Sequence, residues 1–326
     1  MGEFELLARI RERLPATPAH VLIGSGDDAA ITAVDGATAT SVDAVVDGVH
    51  FHRNRATLAQ IGHKALATAL SDLAAMGAAP GEAYVVLGVP TDLGEDGCIE
   101  LLDGMLALAE ATGTVLAGGD LTRASQLFLA ITVVGRVASA DAFVSRAGAQ
   151  PGDALVLTGE IGGAAAGLAL LEDPGLEERA SNATTLFERQ LEPSPRLGAG
   201  RELARAGARG MIDVSDGLAG DAVHLVERSG VGLLIDGGAV PLATGAIEVL
   251  GTAGDEGLRR CLEGGEDYEL LAAIPPAHVK RAREAVGAAE GIALTAIGEV
   301  VAGEGVEIRL PGGGLLKPTR GFDQLA

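Results

Sequence analysis

Tryptophan is missing from the chain, and aromatic residues make up only 2% of its 326 residues. The two cysteines, Cys98 and Cys261, lie far apart without metal or redox spacing. We therefore expect two reduced thiols, not a disulfide or a zinc site. No apolar run approaches the ~20 residues that a membrane helix needs, and the charged start MGEFELLARIRERL is unlike a signal peptide. These features favour a cytoplasmic protein with no membrane partner.

Positive charge is also scarce, because 24 Lys and Arg residues face 45 Asp and Glu residues, for a net charge of −21. Nucleic acids and anionic membranes are bound through basic surfaces, so both classes of partner are excluded. Hydrophobic residues make up 48% of the chain, enough for a folded protein of two domains. The 48 glycines are typical of tight turns and of loops whose backbone approaches a ligand.

Apolar periodicity predicts helices and strands that alternate along the chain. In the first half we expect a helix over 3–14, strands near 29–34 and 38–46, and helices over 57–78 and 95–111. The polar stretch SRAGAQPGD predicts a crossing into a second half. Several strands follow one another directly, which favours two α+β domains over one doubly wound sheet.

Acidic residues recur beside glycine or serine where apolar runs end. The motifs are GDD, SVD, LSD, GGD, IDVSDG and GGEDYE. We expect them at strand ends and turns, where several chain segments converge on one point. Carboxylate oxygens are the ligands of hard cations, and Mg²⁺ is usually held by a few carboxylates together with substrate phosphates. The pattern therefore indicates Mg²⁺ ions around a polyphosphate, although a non-enzymatic binder of divalent cations stays open.

Three of these acids have a second interpretation. Asp72 falls near the end of a predicted helix, where the helix dipole disfavours an anion, so a nearby cation or a metal would explain it equally. Asp216, with Ser215, has the pattern of a helix N-cap, which is also compatible with phosphate binding. Asp120 follows two glycines that allow close approach to a phosphate. The P-loop, the dinucleotide fingerprint and a hydrolase triad are not supported.

Taken together, ten motifs in one order resemble the thiamine-monophosphate kinase family. They are GEF, GSGDDAA, SVDAVVDGVHF, HKALATALSDLAAMGA, LAGGDLTR, SRAGAQPGD, EPSPRL, IDVSDGL, GGEDYEL and GFD. The resemblance implies a two-domain α+β fold like that of aminoimidazole ribonucleotide synthetase. It implies an N-terminal domain over 1–137 whose β-sheet binds ATP and metal and pairs into a barrel across a homodimer. A C-terminal, α/β sandwich-like domain over 138–326 would complete the active site.

The resemblance also implies a reaction, in which ATP phosphorylates thiamine monophosphate to thiamine diphosphate, the last step of thiamine diphosphate synthesis. Transfer would be direct and in line, with the substrate phosphate as nucleophile and several Mg²⁺ ions neutralising charge. Catalysis would then rest on metal ions and positioning, with no catalytic side chain. Other members of the superfamily fit less well, because the chain has neither the N-terminal reactive cysteine of selenide water dikinase nor the C-terminal cysteine of the hydrogenase maturation dehydratase.

Site residues are implied position by position. The metal ligands would be Asp27, Asp28, Ser41, Val42 through its backbone carbonyl, Asp43, Asp72, Asp120, Asp213 and Asp216. The nucleotide contacts would be Gly119, Asp120, Arg146 and Ser215, and the substrate contacts His50, Glu266 and Phe322. Phe322 stands where the family tends to carry a larger aromatic residue, and its ring can still stack on the thiazolium cation.

Overall fold

A computed structural model of the protein describes residues 34–251 and 254–318, together with residues 10, 12–15, 18, 20–23, 31 and 32. Two compact units are distinguished, residues 1–73 with 78–141 and residues 74–77 with 142–326. Most of the helix expected over 3–14, and residues 29, 30 and 33 of the strand expected near 29–34, lie outside the described residues; Ile31–Thr32 of that strand form a short strand. The domain boundary between residues 137 and 138 stays a prediction.

Strands and helices alternate over much of the described chain. The strands are β1 Val21–Ile23, β2 Ile31–Thr32, β3 Ala37–Val46, β4 Ala79–Val89, β5 Val115–Arg123, β6 Phe128–Val137, β7 Ala154–Thr158, β8 Gly210–Val214, β9 Gly232–Asp236, β10 Glu269–Ile274, β11 Leu294–Val301, β12 Gly305–Arg309 and β13 Leu315–Leu316. The helices are α1 Leu58–Ala75, α2 Gly94–Thr112, α3 Gly163–Glu172, α4 Ala183–Leu191, α5 Leu197–Arg205, α6 Leu218–Ser229, α7 Ala246–Leu250, α8 Asp255–Glu263 and α9 Val279–Glu290.

The first unit contains a four-stranded sheet in the order β3-β6-β4-β5, in which β6 runs antiparallel to both neighbours and β4 and β5 are parallel. Leu66 and Leu70 of α1 are fully buried, as their helical spacing predicts. Gly77 follows the helix at φ +67°, the left-handed conformation that ends helices. The short strands β1 and β2 also pair with each other.

Helices α1 and α2 approach each other through glycine. A Cβ at Gly62 would lie 2.0 Å from the carbonyl oxygen of Leu101, and a Cβ at Gly104 would lie 1.8 Å from that of Ala59. No real Cβ tolerates such distances, so both positions require glycine for the helices to keep this spacing. The contact fixes α1, and α1 carries Asp72.

The second unit contains a seven-stranded sheet in the order β13-β12-β9-β11-β7-β10-β8. Neighbouring strands are antiparallel except β12 and β9, which are parallel. Strands β8 and β10 are buried along their whole length, and α6 packs its apolar side into the same core. The expectation of two α+β domains is confirmed. Because β8 and β10 are antiparallel neighbours, the loop after β8 and the loop before β10 meet at one end of the sheet.

Neither described cysteine is bonded to another, since Cys98 and Cys261 are both free and buried. Burial raises the pKa of the Cys98 thiol to about 11 and that of Cys261 to about 12, which makes both thiols poor nucleophiles. Among the described residues, no helix is both long and apolar enough to cross a membrane.

Replacing Gly104 by alanine should destabilise the first unit by about 1–3 kcal/mol, because the new methyl group overlaps the α1 backbone. The control is Gly287→Ala in α9, where a Cβ would lie 3.8 Å from the nearest carbonyl oxygen. That variant should be more stable than wild type by about 0.5–1 kcal/mol, since alanine favours helix. Urea unfolding of both variants measures the difference, and equal midpoints would contradict the close approach of the helices.

Candidate active site

Three predicted metal ligands come together in the first unit. Ser41 and Asp43 lie two residues apart on one face of β3, and both are half-buried. The Ser41 hydroxyl donates a hydrogen bond to the carboxylate of Asp72 in the last turns of α1. The oxygen atoms of these three side chains are the kind that Mg²⁺ accepts as ligands. Val42 lies between them and turns its exposed side chain to the opposite face, so only its backbone could contribute.

His50 is held in one orientation by the backbone of the strand that precedes it. Its Nδ1 accepts a hydrogen bond of 3.1 Å from the backbone N–H of Val46. In a neutral imidazole the proton then resides on Nε2, which becomes a donor. The ring can therefore offer an N–H to an oxygen of a ligand.

Asp120 lies apart from this group. It is an exposed residue inside β5, and β5 and β3 form opposite edges of the four-stranded sheet. Three strand spacings separate it from Asp43, roughly 14 Å, too far for both carboxylates to bind one ion within one copy. Neighbouring Gly119 is required by the fold, since a Cβ there would lie 2.1 Å from the carbonyl oxygen of Val85.

The expectation that these acids lie at strand ends is wrong for Asp43 and Asp120. Asp43 is paired with Ile131 well inside β3, and β5 continues in register with β4 as far as Arg123. Both strands are edge strands, where polar residues can remain in contact with solvent while the backbone stays paired. The apolar runs therefore marked only part of each strand.

In the second unit, the end of β8 and the loop after it bring three aspartates together. Asp213 is buried in β8, Asp216 is half-buried in the loop, and Asp221 is buried in the first turn of α6. Burial, followed by the negative charges of Asp213 and Asp216, raises the pKa of Asp221 to about 8. Burial also raises the pKa of Asp216. This concentration of carboxylates, which disfavours further negative charge, suits a cation.

Asp221 also corrects the N-cap expectation. Neither Ser215 nor Asp216 caps α6; Gly217 precedes the helix at φ +105° with no side-chain cap. Instead, one oxygen of Asp221, Oδ2, accepts hydrogen bonds of 3.0 Å from the backbone N–H groups of both Ser215 and Asp216. The helix thus holds the loop, which leaves the side chains of Ser215 and Asp216 for other partners.

The loop before β10 carries Glu266, which is half-buried with an unusual backbone φ of +67°. Its N–H donates to the carbonyl oxygen of Ser215 at 2.7 Å, and its Oε2 accepts from Nε2 of Gln190 at 2.7 Å. Arg146 is exposed in the same unit, and its charge, after that of His224, counteracts the raised pKa of Asp216. The loop of Ser215, a predicted nucleotide contact, and the loop of Glu266, a predicted substrate contact, are therefore bonded directly to each other.

The donor chemistry of both groups suits Mg²⁺, but neither forms a complete centre by itself. In the part of the chain that the structure describes, no three His, Cys, Asp or Glu side chains are arranged to hold a metal ion. Asp27, Asp28 and Phe322 lie outside the described residues, so their predicted roles stay predictions.

Sequence reasoning did not identify Asp221, and it noted Asp267 without giving it a role. Asp221 had a usable signal, because an acidic residue in the first turn of a helix often reaches back to free backbone N–H groups. Asp267 is buried and accepts hydrogen bonds from the N–H groups of Gly162 and Ala164. These partners lie about a hundred positions earlier in the chain, and no local pattern indicates them.

The chain consists of two sheet-and-helix units, each with a group of acidic residues, and both units match known families. The family described as AIR synthase related protein, N-terminal domain, matches residues 26–137. The corresponding C-terminal domain family matches residues 150–311. The chain thus has both parts of an AIR synthase related protein.

Comparison with individual proteins and solved structures identifies one family within this class. Thiamine-monophosphate kinase of Salmonella typhimurium is 36% identical over 100% of this chain and 98% of its own length. A crystal structure of thiamine-monophosphate kinase from Stenotrophomonas maltophilia is 34% identical, with a TM-score of 0.83 over 94% of this chain and 96% of that one. A structure of AaThiL with AMPPCP and TMP is 27% identical, with a TM-score of 0.76 over 98% and 96% of the two chains. The chain belongs to the thiamine-monophosphate kinase family and is a phosphotransferase.

The raised pKa of Asp221 predicts how stability depends on pH. An unfolded aspartate loses its proton near 3.8, whereas folded Asp221 keeps it up to about 8. The unfolded chain therefore releases a proton that the folded chain retains, and the stability contributed by Asp221 falls as pH rises through this window. Asp221→Asn cannot ionise, and its single Oδ1 can accept both N–H groups. In metal-free buffer, its melting temperature should fall less than that of wild type as pH is raised.

The control for this experiment is Asp236→Asn. Asp236 is exposed at the end of β9 and accepts one backbone N–H, from Gly238 at 3.0 Å. Four strand spacings separate β9 from β8 in the sheet. This variant should follow the wild-type pH curve. Parallel curves for all three proteins would contradict the raised pKa of Asp221.

Proposed function

We propose that the protein is a cytoplasmic thiamine-monophosphate kinase that transfers the γ-phosphate of ATP to thiamine monophosphate, yielding thiamine diphosphate and ADP. The full-length match to the Salmonella typhimurium enzyme carries this proposal. The AaThiL complex supports the choice of ligands, since AMPPCP is an analogue of a nucleoside triphosphate. The two groups of carboxylates add support because two polyanions must be brought together in this reaction.

We assign metal binding to the acids of both units. Ser41, Asp43 and Asp72 would act in the first unit, with Asp120 of β5, the backbone of Val42, and Asp27 and Asp28. Asp213 and Asp216 would act in the second. When bound, Mg²⁺ supplies charge neutralisation at the phosphate oxygens, which lowers the barrier to in-line transfer.

The remaining residues bind and orient the substrates. Gly119 would let the backbone approach a phosphate, Ser215 would contribute a hydroxyl, and Arg146 would provide the planar fork that suits phosphate oxygens. His50 donates from Nε2, because Nδ1 is occupied by the N–H of Val46. Glu266 binds the thiamine part, and Phe322 stacks on the thiazolium ring. The nucleophile is already an anionic phosphate oxygen, so positioning replaces the action of a general base.

We further propose a homodimer in which the second copy completes the metal site. Asp43 and Asp120 lie on opposite edges of the sheet, so a dimer that joins edge β3 of one copy to edge β5 of the other would bring proposed metal ligands from both copies to one interface. Two exposed apolar side chains on this sheet support association, since Val42 is 68% exposed and Val86 is 37% exposed. Apolar side chains on a sheet face are ordinarily covered.

The first test mixes the purified protein with ATP, Mg²⁺ and thiamine monophosphate and separates the thiamine species by chromatography. Wild type should form thiamine diphosphate and ADP in equal amounts. Asp213→Asn should lower turnover by on the order of 100-fold or more, because a charge that supports the transition state is lost. Asp236→Asn should retain full activity. Without thiamine diphosphate from wild type, the proposed reaction is rejected; with full activity in Asp213→Asn, the role of Asp213 is rejected.

Subunit complementation tests the shared site. Asp43→Asn and Asp120→Asn are each expected to be inactive as homodimers. Coexpressed with different affinity tags and purified as a mixed dimer, they should regain about half of the wild-type activity, since one of two symmetry-related sites then carries both aspartates. A mixed dimer as inactive as its parents would show that each copy supplies both residues to its own site.

A further inference from the structure

The two residues that flank Asp267 adopt a backbone conformation that residues with a Cβ atom disfavour. Glu266 has φ +67° and Tyr268 has φ +51°, and these are the two described non-glycine residues with positive φ. Such conformations are uncommon outside glycine, asparagine and aspartate, and they persist only where surrounding contacts enforce them. We therefore expect the contact that enforces this conformation at the residue between them, Asp267.

Asp267 is fastened at the beginning of α3. Its Oδ2 accepts the N–H of Gly162 at 2.6 Å and its Oδ1 accepts the N–H of Ala164 at 3.1 Å, and the side chain is buried. Gly162, the residue that precedes α3, provides no side-chain cap of its own. The carboxylate thus satisfies N–H groups that the helix leaves free, and the positive end of the helix dipole favours its charge.

The residues on either side of Asp267 are bonded to the neighbouring strand. The N–H of Glu266 donates to the carbonyl oxygen of Ser215, and the N–H of Tyr268 donates to that of Val214 at 2.8 Å. Backbone bonds on both sides and the Asp267 carboxylate in the middle fix the backbone from which the Glu266 side chain extends. Nε2 of Gln190 meets that side chain at 2.7 Å.

We propose that Asp267 is a positioning residue, whose two hydrogen bonds to the start of α3 hold Glu266 in its left-handed conformation and aim the Glu266 carboxylate at the substrate. This inference rests on the proposed function, in which Glu266 contacts thiamine monophosphate. Asp267 itself touches no substrate. Its contribution appears as substrate affinity because misdirecting Glu266 removes a binding contact without altering the transferred phosphate.

The test compares Asp267→Asn with Asp236→Asn. Asparagine has one carbonyl oxygen where Asp267 uses both carboxylate oxygens, so one of the two N–H groups loses its acceptor. At Asp236 a single N–H is accepted, and asparagine can replace it. For Asp267→Asn the KM for thiamine monophosphate should rise about tenfold, with kcat and the KM for ATP changed less than about threefold. The control should leave all three constants unchanged.

A second variant separates positioning from general support of the fold. Glu266→Ala removes the side chain that Asp267 aims, so adding Asp267→Asn to it should raise the KM no further. If the two changes multiply, or if Asp267→Asn alone behaves as the control does, the proposal is overturned. Should Asp267→Asn not fold, Asp267→Glu is measured in its place, because it keeps the charge and displaces it by one methylene group.

Amide hydrogen exchange gives a readout that needs no substrate. In Asp267→Asn, the amides of Glu266 and Tyr268 should exchange faster than in wild type and in Asp236→Asn, because their bonds to Ser215 and Val214 at the end of β8 loosen. Unchanged exchange overturns the proposal. If wild type forms no thiamine diphosphate, the proposed function fails by that result alone, and the exchange rates still decide whether Asp267 holds the loop.

Discussion

The second unit depends on the burial of carboxylates at the shared end of β8 and β10. A buried carboxylate destabilises the folded state unless it is paired or hydrogen-bonded. Glu269 is fully buried and meets Arg196 through hydrogen bonds of 2.8 and 2.5 Å. Asp221 and Asp267 are satisfied by pairs of backbone N–H groups instead. Each solution fixes a segment of chain, so the same bonds that make burial tolerable also shape the site.

These bonds join the loop after β8 and the loop before β10 into one rigid segment. Asp221 holds the N–H groups of Ser215 and Asp216, and the carbonyl oxygen of Ser215 receives the N–H of Glu266. Close packing enforces the arrangement, since a Cβ at Gly265 would lie 2.4 Å from that same carbonyl oxygen. A displacement of the Ser215 loop, which we propose binds the nucleotide, would therefore also displace Glu266, which we propose binds thiamine monophosphate. The proposed in-line transfer would require this kind of fixed relation between donor and acceptor.

Local patterns predicted the elements better than their arrangement. Apolar periodicity predicted a helix over 57–78, which the structure has as α1 over Leu58–Ala75, because that signal is contained in a few neighbouring residues. Strand order is not local: β7 pairs with β10 and β11, more than a hundred residues later. For the same reason the sequence grouped Asp43 with Asp120, while sheet order places them on opposite edges. The sequence also did not determine the partner of Asp72, because a nearby cation and a metal explained this residue equally well. The structure shows a hydrogen bond from Ser41.

The raised pKa values of Asp221 and Asp267, about 8 and about 7, would in many sites mark a general acid or base. The surroundings of Asp221 and Asp267 argue against an acid or base role here. Burial is the first cause of both shifts, and both carboxylates are occupied by backbone N–H groups of their own chain. A phosphate nucleophile has no need of a strong base, because it attacks as an anion. Asp221 and Asp267, whose pKa values are raised, therefore maintain the shape of the site and do not transfer protons.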